Sequence, residues 1–515
     1  MYSPEAPMRT VPALLDSCEM RYGPLDAFRW REGEEVRGVT YAGLAREARA
    51  LAAALAAQTR PGAKIAIVGE NSYHWLLCWF AALCAGRVAV PLDAQLPTAD
   101  LLELLEKSGA ELLFCAPGYA DVAHAFGRAV FMPDVPAMLA PCEGTAGWPC
   151  AVQPDDLGMI VFTSGTTGEP KGVMLSHWNF LASILSGSRR VEVTGRVVLA
   201  VLPFSHTLSL GPGMLSHLPG GNTVCICGGA RQLQRDLAVL RPIGMVVVPL
   251  IVEGLYRRIW DTAKKEGKDR LLRATLKVSG ALLRVGIDLR RRLFKSVLAA
   301  FGGDFHLLLC AGAPLSEDCI AGFSRLGVEI LTGYGTTECA PAVAMHGRGT
   351  HRALSVGPVL DCNEVKIGND GEILVKGDNV FMGYYEDRQA TREAFTPDGW
   401  YRTGDLGCLD EDGYLFITGR KKNLIILSNG KNVSPEGLEN KLMELPVIKE
   451  ALVYESDGEI TAELFLDDGT PDAAARLEEE LAALNRRLPA YQRITKTVLR
   501  DTEFPKTTTK KIKRR

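Results

Sequence analysis

The sequence predicts an α/β protein built largely on parallel strands, followed by a small α+β unit at its C-terminal end. Three observations carry this. Up to Cys310, short runs that are apolar throughout alternate with helical segments. Such runs mark strands covered on both faces and joined by crossover helices. From Asn363 the style changes to short strands ended by Gly/Asp turns: NEVKI, GEILVKG and GYLFITG. Beyond Lys422 lies a segment with a periodicity of its own, roughly 90 residues long and near the lower end of independent domains.

Taken in order, KIAIVG (Lys64–Gly69) is the first clear interior strand, and Asn71 is expected to cap the helix after it. WLLCWFAALCAG (Trp75–Gly86) is the most apolar stretch and ends at Arg87. A membrane span needs about 20 such residues, so this is predicted to be a buried helix. RVAVPL (Arg87–Leu92) and ELLFC (Glu111–Cys115) read as strands around a helix at Leu101–Lys107. VVLAVLP, NTVCIC, MVVVP and HLLLC repeat the pattern between Val197 and Cys310, which suggests two related layers.

Leu255–Ala300 differs, with thirteen Lys/Arg against four Asp/Glu. Leu272, Leu276, Leu283, Leu289, Leu293 and Val297 fall near helical spacing, so the region is a basic amphipathic one. The plain reading is a solvated helix face packed on the sheet. The sharper one is peripheral contact with anionic lipid. In the last segment, Pro435–Glu444 and Ala473–Arg487 read as helices, and Ala451–Glu455 and Thr461–Leu466 as strands.

The bulk numbers exclude several classes. A chain of 515 residues exceeds one ordinary core. Hydrophobic residues at 47% and charged ones at 23% describe a globular protein, and a net charge of −3 offers no global field for nucleic acid. The thirteen cysteines are scattered and odd in number; Cys225 and Cys227 lack the CxxC spacing of a zinc site. Reduced thiols in a cytoplasmic protein are expected. MYSPEAPMRTVPALL has no apolar core of a signal peptide.

The most specific stretch is TSGTTGEPKG, Thr163 to Gly172, directly after the strand-like LGMIVF. Glycines let backbone N–H groups approach a ligand, and successive N–H groups form an anion-binding concavity. Ser164, Thr166 and Thr167 add donors, and Lys171 adds a point charge suited to phosphate. It is not a Walker loop, because Pro170 precedes the lysine and Gly172 follows it.

This loop resembles the phosphate loop of the AMP-forming adenylating superfamily, which includes acyl-CoA synthetases, firefly luciferase and peptide-synthetase adenylation domains. Further stretches follow in the family's order: CAGAPLS (Cys310–Ser316), GYGTTE (Gly333–Glu338), YRTGDLG (Tyr401–Gly407), GRKKNLI (Gly419–Ile425) and Pro505–Arg514. The resemblance implies a large N-terminal domain, 1–421, of stacked α/β sheets with a small β-barrel-like part, and a small mobile C-terminal lid, 422–515. It implies activation of a carboxylate by ATP to an acyl-adenylate, then attack by a thiol, with Mg²⁺ as cofactor and coenzyme A as co-substrate.

The roles it implies follow the motifs. Thr163, Ser164, Gly165, Thr166, Thr167, Gly168 and Lys171 would hold phosphates. Gly312, Ala313, Pro314, Tyr334, Gly335 and Thr336 would lie on the adenine side, with Tyr334 offering its ring. Thr337 would donate to the α-phosphate, and Glu338 would be the Mg²⁺ ligand. Asp405 would accept from the ribose hydroxyls, with Arg420 nearby and Ile417 among the nucleotide-side residues. Lys422 takes the hinge position, Lys511 the catalytic one between carboxylate and α-phosphate, and Gly430 the thiol tunnel. LPFSHTLSL places His206 at the acyl-pocket gate. Ser205 stands where amino-acid-activating relatives carry an aspartate, which disfavours an amino-acid substrate. The basic helical region and the TTTKKIKR ending resemble long-chain fatty acyl-CoA synthetases. A ligase loading a carrier protein, or one using aryl acids, is the alternative.

The tail FPKTTTKKIKRR holds Lys511 four residues from its end. Lys506, Lys510, Lys513, Arg514 and Arg515 read as a solvated end, mobile until ligands order it.

Overall fold

The computed structural model describes residues 8–142, 144–163, 169–427, 431–456, 459–466, 473–506, 512 and 514. Two large sheets dominate. The first has eight strands in the order Ala342–Met345, Glu329–Gly335, Leu307–Ala311, Gly244–Val247, Val197–Ala200, Thr223–Ile226, Asp26–Glu32 and Glu35–Thr40. Its six inner strands are parallel and only the two edges are antiparallel. The second has seven, in the order Gly383–Tyr384, Lys171–Ser176, Leu157–Thr163, Val88–Leu92, Lys64–Val68, Ala110–Cys115 and Ala129–Phe131. Here the last five are parallel.

The predicted two layers are therefore two sheets. They share one core into which the helices Tyr41–Gln58, Tyr73–Cys84 and His177–Val191 pack. Tyr73–Cys84 is the predicted apolar helix, and every residue in it except His74 is buried. Its cap is Ser72, which accepts from Trp75 N–H, and not Asn71. Asn71 is one residue too early, and its amide has other partners. No described helix is long and apolar enough to cross a membrane.

A four-stranded antiparallel sheet, Asn363–Ile367, Glu372–Gly377, Tyr401–Leu409 and Leu415–Arg420, forms the turn-rich part. After it come the helices Pro435–Met443 and Ala473–Arg487 and a three-stranded sheet of Ile448–Ser456, Glu459–Leu466 and Lys496–Arg500. These enclose a separate apolar cluster drawn from Ile425 to Ile494. All thirteen cysteines are free thiols.

In the basic region, Pro249–Lys265 and Asp269–Arg284 are helices lying beside Glu317–Leu326. Leu276 is buried as expected, but Leu293 is exposed and Phe294 and Leu298 are buried instead. The chain breaks into short turns there, so a continuous helical stripe does not carry through.

Candidate active site

The strands Leu157–Thr163 and Lys171–Ser176 form a hairpin in which Thr163 pairs with Lys171. The phosphate-loop residues Ser164, Gly165, Thr166, Thr167 and Gly168 at its tip lie outside the described residues. Lys171 Nζ sits 5.1 Å from the centroid of the Tyr384 ring. The Tyr384 hydroxyl donates to Glu338 Oε1 at 2.9 Å. Burial, and then the Glu338 charge, push the Tyr384 phenol up, so it remains a donor. One ring thus links the loop's cation to the candidate metal carboxylate. No motif announces Tyr384; it arrives because Gly383–Tyr384 pairs onto the Lys171 strand.

Thr337 and Glu338 lie in a tight turn, Thr337–Cys339, directly after the strand Glu329–Gly335. Thr336 precedes that turn in extended conformation. Gly335 is obligatory: a Cβ there would sit 1.7 Å from the Pro341 carbonyl oxygen. Among the described residues, no group of three or more His, Cys, Asp or Glu could hold a resident metal. A single carboxylate fits Mg²⁺ of the kind that keeps waters and takes most ligands from substrate phosphates.

Asp405 and Arg420 face each other across the hairpin of the antiparallel sheet. Arg420 Nε donates to Asp405 Oδ1 at 2.7 Å and the Tyr334 hydroxyl donates to Oδ2 at 2.7 Å. Asp405 is 5% exposed and lies within a strand rather than a turn. Burial opposes the Arg420 cation, but the Asp405 charge and hydrogen bond, with Tyr334 and Tyr401 nearby, together outweigh it and raise the guanidinium's pKa. Burial and then Asp405 hold the Tyr334 phenol well above its usual range. A carboxylate has about four lone-pair sites, so two acceptor positions remain for outside hydroxyls.

Gly312, at φ +93°, Ala313 and Pro314 are exposed at the C-terminal end of Leu307–Ala311. That strand is the parallel neighbour of the one bearing Tyr334, with Ala311 opposite Gly333. Crevices beyond the carboxyl ends of parallel strands are where open α/β sheets bind ligands. Ile417, half-buried, is paired with Gly407 on the same hairpin as Asp405.

The Leu202–Leu210 stretch, the candidate acyl side, is held by Asn71. Its Nδ2 donates to the Leu202 carbonyl at 2.7 Å and its Oδ1 accepts from Phe204 N–H at 2.9 Å. His206 follows, its Nε2 3.8 Å from Asp93 Oδ2. Burial lowers its pKa, against the Asp93 charge. A cavity of about 50 Å³ lies between the helix His177–Val191 and the first sheet. Val198, Met245, Val246, Leu309 and Met345 line it, with His217 as a polar neighbour that burial keeps neutral, its pKa pushed down to about 4. Among the described residues, no carboxylate lines this cavity. His217 had no motif to mark it.

At the junction, Lys421 is tied to Asp370 at 2.6 Å and Glu372 at 3.1 Å. Lys422 lies in the same turn, and partial desolvation followed by the Arg420 and Arg514 charges lowers its pKa. Gly430 and Lys511 lie outside the described residues. The tail is only partly as expected. Lys506 is paired with Glu503 at 2.9 Å and with Glu450, and Arg514 with Glu436 at 3.3 Å and with Glu439. These two are anchored by carboxylates of the small unit, which a composition count does not reveal; Lys510, Lys513 and Arg515 lie outside the described residues.

The family model for the AMP-binding enzyme matches residues 20–385, and that for the AMP-binding enzyme C-terminal domain matches residues 422–515. Long-chain-fatty-acid–CoA ligase FadD15 of Mycobacterium bovis is 32% identical, covering 81% of this chain and 75% of its own. Long-chain-fatty-acid–CoA ligase 6 of Rattus norvegicus is 31% identical, covering 73% of this chain and 61% of its own. Among solved structures, ATP-bound MatB from Rhodopseudomonas palustris superposes with a TM-score of 0.78 at 25% identity, covering 97% of each chain. MenE from Bacillus subtilis with its acyl-adenylate gives 0.77 at 23% identity, covering 97% of this chain and 96% of its own.

Proposed function

Because this chain belongs to the AMP-binding enzyme family, the AMP-forming adenylating superfamily, we propose that it is an AMP-forming acid–CoA ligase whose acid is a fatty carboxylate. The observation that carries the substrate class is the apolar cavity between the helix His177–Val191 and the first sheet, lined by no carboxylate among the described residues. An ammonium group buried there would stay unpaired, which is costly, whereas each methylene is favoured by about 0.8 kcal/mol. The fatty-acid ligases among its relatives support the same choice.

In the first half-reaction, a carboxylate oxygen of the acid attacks the α-phosphorus of ATP. The bond to the bridging oxygen breaks and pyrophosphate leaves, giving an acyl-adenylate. Thr163, the phosphate loop and Lys171 hold the triphosphate, and Thr337 donates to the α-phosphate. Glu338 would hold a Mg²⁺ ion that offsets charge on the departing pyrophosphate. Asp405 accepts from the ribose hydroxyls while Arg420 and Tyr334 keep its carboxylate oriented. Tyr334, Gly312, Ala313 and Pro314 border the base. Lys511 lies between the two approaching anions and offsets their repulsion.

In the second half-reaction, residues 422–515 rotate as a lid about Lys422, withdrawing Lys511 and bringing the segment around Gly430 to the thiol path. The sulfur of coenzyme A attacks the acyl carbon, the C–O bond to AMP breaks, and the thiol proton is released. Lys421, bound to Asp370 and Glu372, anchors one side of the junction, which leaves Lys422 as the residue to turn.

Pyrophosphate exchange with ATP, run over acids from acetate to oleate with aryl acids included, tests this. Exchange confined to fatty acids, with thioester formed on coenzyme A, is expected. Exchange driven only by aryl or short acids overturns the fatty-acid assignment, and thioester formed only on a holo-carrier protein overturns the coenzyme A assignment.

A further inference from the structure

The apolar cavity has a second neighbour at its far end. A larger, open recess of about 570 Å³ lies at the N-terminal edge of the first sheet. Arg196, Arg241, Arg290, Arg291, Asp288 and Asp304 give it a charged lining. Among the described residues, the two spaces share one, Ile243. Their linings otherwise alternate along the strands: Val197 faces the recess and Val198 the cavity, His306 the recess and Leu307 the cavity.

Ile243 is 7% exposed, and its backbone is fixed from both sides. Its N–H donates to the Val197 carbonyl at 2.8 Å, and its carbonyl accepts from His306 and Leu307 N–H at 2.8 and 3.1 Å. The next position, Gly244, cannot carry a side chain, because a Cβ would sit 2.3 Å from the Leu307 carbonyl oxygen. Ile243 is thus the side chain standing between an apolar space and a solvent-open charged one. From Val248, at the nucleotide end of the same strand, to Ile243 is about 16 Å at the rise of a parallel strand. Met245 and Met345 line the intervening space, and methionines repack readily around an incoming chain.

We propose that Ile243 is the specificity-determining wall that sets the upper acyl length, separating the acyl cavity from the arginine-lined recess. This rests on the fatty-acid ligase reading. A chain that fits gains about fourfold in affinity per buried methylene. A chain that is too long must displace Ile243, or fold back on itself. Removing the side chain opens the cavity into the recess, so the penalty disappears and the terminal carbons of a long acid pass through. An acid with a second, terminal carboxylate then meets Arg196 and Arg291.

The test is pyrophosphate exchange with a saturated acid series from C6 to C20, for the wild type, Ile243→Ala and Ile243→Phe. The wild type should show a rise to a maximum, then a fall of about fivefold or more once the chain must displace Ile243. Ile243→Ala should lose that fall and accept a long α,ω-dicarboxylate, in a manner lost on adding Arg196→Glu and Arg291→Glu. Ile243→Phe should move the maximum to shorter acids, with the KM for ATP unchanged in each case. Should Ile243→Ala fail to fold, Ile243→Val must show the same shift in smaller measure. Length profiles of the folded variants that superpose on the wild type overturn the wall while leaving the ligase intact. Absence of exchange with every acid in every protein overturns the ligase reading, and the wall with it.

Discussion

Tyr334 donates its phenolic hydrogen to Asp405 Oδ2 at 2.7 Å, joining two strands 71 residues apart in sequence. With Arg420 on the other oxygen, this arrangement aims the carboxylate and leaves it acceptor capacity. Tyr334→Phe keeps the ring and removes the donor, at a cost of about 1 kcal/mol. The KM for ATP should rise about fivefold. Asp405→Ala also strands Arg420, so kcat/KM for ATP should fall by a hundredfold or more, the roughly 3 kcal/mol of a broken, partly buried pair. Unchanged ATP kinetics for Asp405→Ala would remove it from the ribose site.

Tyr384 couples Lys171 to Glu338 through one side chain. Tyr384→Phe retains the ring beside the lysine and loses the bond to the carboxylate. A fall in kcat/KM of about fivefold is expected, the value of one hydrogen bond. It should be accompanied by an altered Mg²⁺ requirement in pyrophosphate exchange. Tyr384→Leu should lose more, because the contact with the ammonium goes as well. Equal activity in both variants would mean that the ring contact contributes nothing.

Asn71 braces the backbone at Leu202 and Phe204, just before His206. Asn71→Ala removes two hydrogen bonds, about 2 kcal/mol in all. The KM for the acid should rise well above that for ATP. If both constants moved together, the brace would serve general stability and not the acyl side.

Lys511→Ala should abolish adenylate formation yet spare thioester formation from added acyl-AMP, since the second half-reaction has no approaching phosphate to offset. Measuring the two half-reactions separately decides it. Survival of the first would transfer the catalytic role elsewhere.

His177 is 1% exposed, with Nδ1 accepting from Val11 N–H at 3.3 Å. Burial pushes its pKa down to about 4 from 6.5. A folded pKa below the unfolded one means that the unfolded chain takes up the proton first. Stability is therefore full above pH 6.5 and is lost as the pH falls toward 4. From pH 7 to 5 this group alone removes about 2 kcal/mol. Calorimetry should show a fall in Tm over that range, and His177→Gln should flatten it. An identical pH dependence in the variant would assign the acid sensitivity to other groups, such as His217 and His346, which are also lowered to about 4.

Much of the architecture was legible because it is written in neighbouring residues. KIAIVG and MVVVP are apolar at every position, which only a strand covered on both faces tolerates, and both are interior parallel strands. Tyr73–Cys84 and Ala473–Arg487 announced themselves by composition and period. Asn71 was misplaced because two adjacent residues can both cap, and only the tertiary claim on its amide by Leu202 and Phe204 distinguishes them. Leu293 was misplaced because a helical period holds only while the helix does.

The sequence by itself determined the family, the order of the two units and the residue types at the candidate nucleotide site, since ordered motifs carry these along the chain. Only the tertiary structure decided which groups meet: Tyr384 with Glu338, Tyr334 with Asp405, and Ile243 between an apolar cavity and a charged recess. Motifs record what lies side by side in the chain. Contacts between strands from distant segments depend on register, burial and sheet order, and these exist only once the chain has folded.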